Sequence, residues 1–345
     1  MRPTTVAVIG IGRIGRMHTE NLVHAVPDAY VKAVVDLNQV DPAWADALGI
    51  PVRSTNLDKI LKDPEIEAVV ITAPSGLHVD LIRRAAAAGK HIFCEKPVAF
   101  EPTPIEQAQA AADAAGVKLQ VGFNRRFDPS ILRMRQAVQA GEVGEIHQLR
   151  VTNRDPKAPP IDFVKQSGGL FFDFAIHDFD TMRFLSGSEI VELFAVGVVL
   201  VDPEIGKAGD VDTAVITMRL ANGALGVIDC SRQTNYGYDQ RFEVFGSKGS
   251  VVVENTTPTT VISSSTAGVV ADRPHENFVG RYREAFIAEL SAFVAAVRER
   301  SPVRVGAKDA LAAVRAAAAA KASHETHLPV RLSEGVRETS GGKRR

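Results

Sequence analysis

The sequence predicts an α/β protein: a doubly wound parallel sheet, then a second α/β unit built on a large, mostly antiparallel open sheet. Three observations carry this. A glycine-rich turn, Gly10-Ile11-Gly12-Arg13-Ile14-Gly15, joins a β-branched run to an amphipathic helical pattern. Short apolar runs then alternate with helical patterns as far as Val121. Beyond residue 145 such runs follow one another with turn residues between them and few helices.

Each element has a local reason. Thr5–Ile9 is apolar and β-branched, as a buried strand requires. The G-x-G-x-x-G that follows opens a helix running to about Ala25. Its first glycine allows a tight turn, its second lets a pyrophosphate reach the backbone, and its third lets helix and strand pack closely. The helix N-terminus offers N–H groups and partial positive charge to phosphates, so Gly10, Gly12, Arg13, Ile14 and Gly15 are the expected dinucleotide contacts. The next strand, Val31–Val35, ends in Asp36, about 20 residues beyond Gly15. An acid there accepts the adenosine ribose hydroxyls and repels a 2′-phosphate, and Leu37-Asn38 supplies no arginine to receive one. The pattern points to NAD over NADP.

The alternation continues with a helix near Pro42–Leu48, a strand at Pro51–Arg53 and a helix from Leu57. Then come the strand Ala68–Thr72, the helix Leu77–Ala88, the strand His91–Cys94, the helix Pro104–Ala115 and the strand Lys118–Val121. Right-handed crossovers would place the strand ends Thr72–Ser75 and Cys94–Pro97 at the carboxyl edge, where such sheets bind ligands. Ser75 and His78 sit beside that edge; His78 suits a surface cap as well as a ligand contact. Lys96, within Glu95-Lys96-Pro97, can stand beside a nicotinamide and the oxygen being oxidised, or be an exposed lysine in a turn.

After Gly122 the pattern changes. Asn124–Pro129 reads as a connector and a helix follows to about Ala140. Strands are expected at Ile146–Arg154, Ile190–Leu200, Thr213–Leu220, Ala224–Cys230, Arg241–Phe245, Ser250–Glu254 and Thr259–Ser263. Two helices, Phe278–Glu299 and the alanine-rich Lys308–Lys321, close the chain. The organisation read from this is a dinucleotide-binding domain over 1–123, a substrate-binding and oligomerisation domain over 124–332, and a loose tail over 333–345.

Composition excludes several classes. Lys plus Arg number 40 against 41 Asp plus Glu, so no field is available to attract nucleic acid or an anionic membrane. No apolar run approaches the ~20 residues of a membrane span. The two cysteines, Cys94 and Cys230, are too sparse for a disulfide framework or a metal cluster. The first residues run straight into a strand without an apolar leader. A cytoplasmic protein with no metal centre is expected.

Chemistry concentrates in Phe171–Phe184, where Asp173, His177, Asp178 and Asp180 interrupt an apolar, helix-like run. Asp173 and His177 are four residues apart, so on a helix they share a face and can hydrogen-bond. A carboxylate that orients an imidazole makes a general base. The same pair also suits a buried polar bridge in a core helix, and this stretch alone leaves both open.

Taken together, Gly10–Gly15, Glu95-Lys96-Pro97 and Ser167-Gly168-Gly169 followed by Asp173-(x3)-His177-Asp178 resemble the glucose-fructose oxidoreductase/inositol dehydrogenase/rhizopine-catabolism family, from residue 4 to about 330. Gly122–Pro129, Tyr236–Arg241 and Asn277-Phe278-(x2)-Arg281-Tyr282 are similar to its inositol 2-dehydrogenase branch. The resemblance implies a Rossmann domain followed by an open-sheet domain through which a homotetramer assembles. It implies Lys96, Asp173 and His177 as the catalytic set, with Arg126, Asp155, Asp180 and Tyr236 lining a site for a cyclic polyol or sugar. Glu95 and His78 become cofactor-side positions. On this reading a secondary alcohol is oxidised with NAD: His177 takes the proton, Asp173 holds its tautomer, and Lys96 stabilises the oxygen.

Two other classes use parts of the pattern. A metal-dependent hydrolase could take His177, Asp173, Asp178 and Asp180 as ligands, which leaves the glycine turn without a role. A non-catalytic sensor of NAD and a sugar would tend to lack the lysine or the histidine, and both are present. The same chemistry on scyllo-inositol, another inositol isomer or a pyranose is the nearer alternative.

Overall fold

The computed structural model describes residues 2–332; the tail expected over 333–345 lies outside them. The first half runs β1 (Thr4–Ile9), α1 (Arg13–Ala25), β2 (Ala29–Val35), α2 (Pro42–Ala47), β3 (Val52–Ser54), α3 (Leu57–Leu61), β4 (Ala68–Ile71), α4 (His78–Ala87), β5 (His91–Glu95), α5 (Pro102–Ala114) and β6 (Leu119–Gly122). Its six strands pair in parallel in the order β3-β2-β1-β4-β5-β6. The winding reverses between β1 and β4, so the loops at their carboxyl ends part there and leave a crevice. Every residue of β1 and β4 is buried, because helices cover both faces of the sheet.

The second half runs α6 (Pro129–Gln139), β7 (Ile146–Arg154), α7 (Ile161–Gln166), α8 (Ile176–Ser186), β8 (Ile190–Val198), α9 (Pro203–Lys207), β9 (Thr213–Leu220), β10 (Leu225–Ser231), β11 (Asp239–Gly246) and β12 (Gly249–Val253). It ends in β13 (Ile262–Ser265), β14 (Gly268–Ala271), α10 (Phe278–Arg281), α11 (Arg283–Glu299), α12 (Ala307–Thr326) and β15 (Val330–Arg331). The large sheet has the order β12-β11-β7-β10-β9-β8-β15. All neighbours are antiparallel except β7 and β10. Strand β9 shows why one face is dry: Ala214, Ile216, Met218 and Leu220 are buried while the residues between them are not. Helices α6, α8 and α12 cover that face; Val196, Val215, Leu225, Phe245 and Val252 remain exposed.

Three expectations are corrected. The strand expected at Thr259–Ser263 begins at Ile262 and belongs to a separate, wholly exposed hairpin, β13–β14. The run expected to Leu200 stops at Val198, because the Asp212 carboxylate accepts the N–H groups of Leu200, Val201 and Asp202 at 2.8–3.0 Å and turns the chain. The helix expected over Phe278–Glu299 is broken at Tyr282, a buried residue whose hydroxyl donates to Gln240 Oε1 at 3.1 Å.

Helix α11 returns to the first sheet. Its Leu290, Phe293 and Val294 share a core with Val6, Val8, Ile11, Leu22 and Phe93. No helix among the described residues is long and apolar enough to cross a membrane.

Candidate active site

The crevice opens with three glycines that do three different things. Gly10 has φ +90°, and a Cβ there would lie 2.6 Å from the Ala73 nitrogen. A Cβ on Gly15 would lie 1.9 Å from the Gly10 carbonyl oxygen. A Cβ on Gly12 would meet nothing within 4 Å, so at this position the space above the backbone is free for a ligand. No side chain caps α1, which leaves its first N–H groups available to an anion. Asp36 accepts the N–H of Ile11 at 2.6 Å on one oxygen and that of Asn38 at 2.8 Å on the other. A carboxylate has lone pairs beyond these two for ribose hydroxyls. These residues fit a dinucleotide. Arg13 is exposed, its guanidinium 4.9 Å over the Phe278 ring, and Ile14 is half-buried beside it.

Lys96 leaves the end of β5 ahead of a cis peptide bond to Pro97. Its Nζ donates to the Asp173 carbonyl oxygen at 2.8 Å and to Oδ1 at 3.3 Å. Asp173 lies in a widened turn, Leu170–Phe174, closed by an i→i+5 bond from Ala175 N–H to the Leu170 carbonyl at 2.9 Å. The turn starts at Gly169, whose φ of +82° only glycine adopts freely. Leu170 N–H is held by both oxygens of Asp210, at 3.0–3.1 Å.

That turn corrects the expected Asp173–His177 pair. A spacing of four superposes side chains in a regular α-helix, but the extra residue in the turn moves Asp173 off the His177 face. The Asp173 carboxylate instead lies between two cations, Lys96 and Arg232, whose Nη1 is 2.9 Å from Oδ2. Burial opposes its ionisation, but these two charges hold its pKa below the usual carboxylate range. His177 opens α8 with its ring edge-on to Phe123. Its Nδ1 is buried without a partner. Burial first, then the charges of Lys96 and Arg125, push its pKa well below the ordinary histidine value. A neutral imidazole thus stands within the field of an ammonium.

A layer of residues absent from the sequence-based site supports this. Arg232, 2% exposed, lies over the Phe174 ring and links Asp173 to Asp155, 3.9 Å away. Burial, aided by the Asp173 charge and opposed by Arg232, raises Asp155 to about 7. Arg125 pairs with Asp178. Asp178 also accepts from Asn153 Nδ2 at 2.9 Å, and Asn153 in turn accepts from Gln240. Arg125 stands in the stretch Gly122–Pro129, from which the sequence reading takes only Arg126 for the site. Arg232 depends on the parallel pairing of β10 with β7, which local pattern does not encode.

The remaining predicted residues fall into separate groups. Arg126 and Asp180 meet in a bidentate pair at 2.7–2.8 Å that includes Asp309. Their described hydrogen bonds are to one another and to Asp309, and none reaches Lys96, Asp173 or His177. Arg126 faces an open cavity of about 460 Å³ shared with Arg135 and Arg183. Tyr236 is 41% exposed and donates to Asp239 at 2.6 Å. Its hydroxyl also accepts from Arg154 Nη1 at 3.3 Å, which places it where β7 ends and β11 begins, one residue ahead of Asp155. His78 is buried, its two ring nitrogens 2.8 and 2.7 Å from the carbonyls of Pro97 and Ala73. It therefore clasps two crevice loops from behind. Ser75 is half-buried in the turn ahead of α4. Glu95 meets His18 Nε2 at 2.7 Å and accepts the Lys96 N–H at 3.2 Å. The four side chains of the hydrolase alternative do not share a centre, since Asp173, Asp178 and Asp180 each pair with a different arginine.

Residues 4–123 match the model of an oxidoreductase family with an NAD-binding Rossmann fold, and residues 131–252 match the GFO/IDH/MocA C-terminal domain. This chain belongs to the GFO/IDH/MocA oxidoreductase family. Membership makes it an oxidoreductase and its first sheet an NAD-binding one. Among its GFO/IDH/MocA relatives, the myo-inositol 2-dehydrogenase of Thermotoga maritima is 42% identical over 96% of this chain and 99% of its own. The inositol 2-dehydrogenase of Rhizobium meliloti is 42% identical, over 91% and 94%. The crystal structure of scyllo-inositol dehydrogenase from Lactobacillus casei with bound NAD(H) and scyllo-inositol superposes with a TM-score of 0.88. It is 32% identical and covers 96% of this chain and 98% of that one.

Proposed function

We propose that the chain is an inositol dehydrogenase that oxidises a secondary hydroxyl of a cyclic polyol to a ketone with NAD, with myo-inositol, oxidised to its 2-ketone, as the substrate. The observation that carries this is a neutral, partly exposed imidazole, His177, within the field of the Lys96 ammonium at the crevice edge. The names of relatives over 90% of the chain's length point to the substrate class.

NAD, when bound, supplies the hydride acceptor at C4 of its nicotinamide. His177 takes the hydroxyl proton, because its depressed pKa keeps it unprotonated near pH 7. Lys96 turns its remaining N–H toward the same oxygen and stabilises the negative charge that develops there. Asp173 aims Lys96 through two hydrogen bonds. Its role is on the ammonium and not on the imidazole tautomer. Arg232 fixes Asp173 from the other side, and Asp155, one-fifth exposed, is the acid nearest the site's outer edge. Water is kept from His177 Nδ1 by Phe123 and the packing of α8.

The exposed apolar face of the large sheet supports a homotetramer assembled through it. Two free, buried cysteines suit a cytoplasmic protein. A panel of inositol isomers and aldoses with NAD and NADP, read by absorbance of the reduced cofactor, tests the reading. Highest kcat/KM with myo-inositol and NAD is expected, and failure to reduce NAD with any inositol would refute it. A second reading, scyllo-inositol, is favoured by the Lactobacillus casei complex; a reversed ranking of the two isomers would select it.

A further inference from the structure

Behind the crevice lies a carboxyl group that the reaction above does not use. Glu289, on α11, is 0% exposed, and neither of its side-chain oxygens has a hydrogen-bond partner. A carboxylate left ionised in that state is strongly disfavoured. His18 from α1 and Glu95 from β5 stand with it, each offering an atom within 4.8 Å of the others. His18 Nε2 meets Glu95 Oε1 at 2.7 Å, while its Nδ1 is buried and unpartnered. Strand β6 contributes the neutral amide of Gln120, which donates to the Glu289 carbonyl oxygen at 2.8 Å. The titratable groups facing Glu289 are thus Glu95 and His18. Two carboxyl groups so close in a dry site do not both ionise. Burial, followed by the Glu95 charge, pushes Glu289 well above the usual range.

We infer that Glu289 is a positioning residue for the cofactor end of the crevice: as a protonated acid it turns its O–H to the Glu95 carboxylate, an oxygen of which lies within 4.8 Å, and so holds the residue that precedes Lys96. The route onward is short. Glu95 Oε2 accepts the Lys96 N–H at 3.2 Å, and its carboxylate sits 3.1 Å from where a Cβ on Gly122 would lie. At alkaline pH Glu289 loses its proton, two negative charges face each other, and Glu95 swings out of place. The inference rests on the proposed function only in taking Glu95 as a cofactor-side residue and Lys96 as catalytic.

Infrared spectra of the full chain at neutral pH should show a protonated carboxylic-acid band that is missing from Glu289→Gln. Calorimetric NAD affinity, followed from about pH 6 to about pH 10, needs no polyol. The unmodified protein should lose affinity at the alkaline end. Glu289→Gln keeps a donor without a charge and should hold its affinity throughout. Glu289→Leu keeps volume, loses the donor, and should bind NAD about tenfold more weakly at all pH values. Should the leucine variant fail to fold, the glutamine spectra and pH profile decide alone. Identical spectra, or an unchanged alkaline loss of affinity in Glu289→Gln, would overturn the inference. So would a stoichiometric divalent ion lost with Glu289→Gln, since the imidazole and two carboxylates would then be its ligands. If no inositol is oxidised while the NAD results hold, the substrate reading fails and this inference stands.

Discussion

The Lys96 ammonium donates to both the carbonyl oxygen and the carboxylate of Asp173, joining the end of β5 in the first sheet to the widened turn ahead of α8. One N–H remains for a ligand. Lys96→Met keeps the length of the side chain and removes the charge. We expect kcat to fall on the order of a hundredfold or more, with NAD affinity by calorimetry close to that of the unmodified protein. Unchanged kcat would remove Lys96 from the reaction.

His177→Ala should lower kcat by roughly a hundredfold to ten-thousandfold while NAD still binds. Because the folded-state pKa of His177 is lowered by burial and by Lys96 and Arg125, the neutral base persists below the ordinary value near 6.5. The acid limb of the kcat/KM profile should therefore fall below about 6.5, with activity lost as pH drops through the folded-state value. An acid limb above that value would contradict the assignment.

Asp155→Asn tests the raised acid. Its pKa is about 7 in the folded protein against an ordinary 3.8, so the folded state holds this proton more tightly than the unfolded chain does. Stability from this group is fully present below the unfolded value and is lost as pH rises toward 7. The amide abolishes that loss. Because the side chain is 21% exposed, solvent screening moderates the effect. A gain of roughly 1–2 kcal/mol, or about 1–3 °C in Tm, is expected above pH 8 and none near pH 4. Thermal melts at the two pH values check it.

Asp36→Ser shortens the acid that accepts the N–H groups of Ile11 and Asn38. The KM for NAD should rise about tenfold and the preference over NADP should narrow by at least as much. Paired kcat/KM values with the two cofactors measure this. A preference for NADP in the unmodified protein would overturn the reading of this strand end.

The first sheet was legible because its central strands β1 and β4 are largely apolar, β-branched runs beside helix-period runs, and Gly10–Gly15 marks the crevice. The second sheet was legible as strands but not as an order. β7 inserts between β10 and β11, far from its neighbours in sequence, and no local pattern encodes that pairing. The same gap explains the site. Lys96, Asp173 and His177 could be named from motifs, whereas Arg232 gains its position only when β10 lies parallel to β7. The Asp173–His177 hydrogen bond was misread because a spacing of four presumes a regular helix, and Leu170–Phe174 is not one.

Helix α11 has a consequence for how the polypeptide is made. A nascent chain halted at Gly122 would show the apolar flanks of Val8, Leu22 and Phe93 to water, since Leu290, Phe293 and Val294 are still unsynthesised. Each of the larger of these side chains contributes roughly 1.5–3 kcal/mol when buried. The nucleotide-binding half therefore matures late, after the ribosome has delivered almost all that follows it, and cutting the gene at its apparent seam should yield a sticky, poorly soluble fragment.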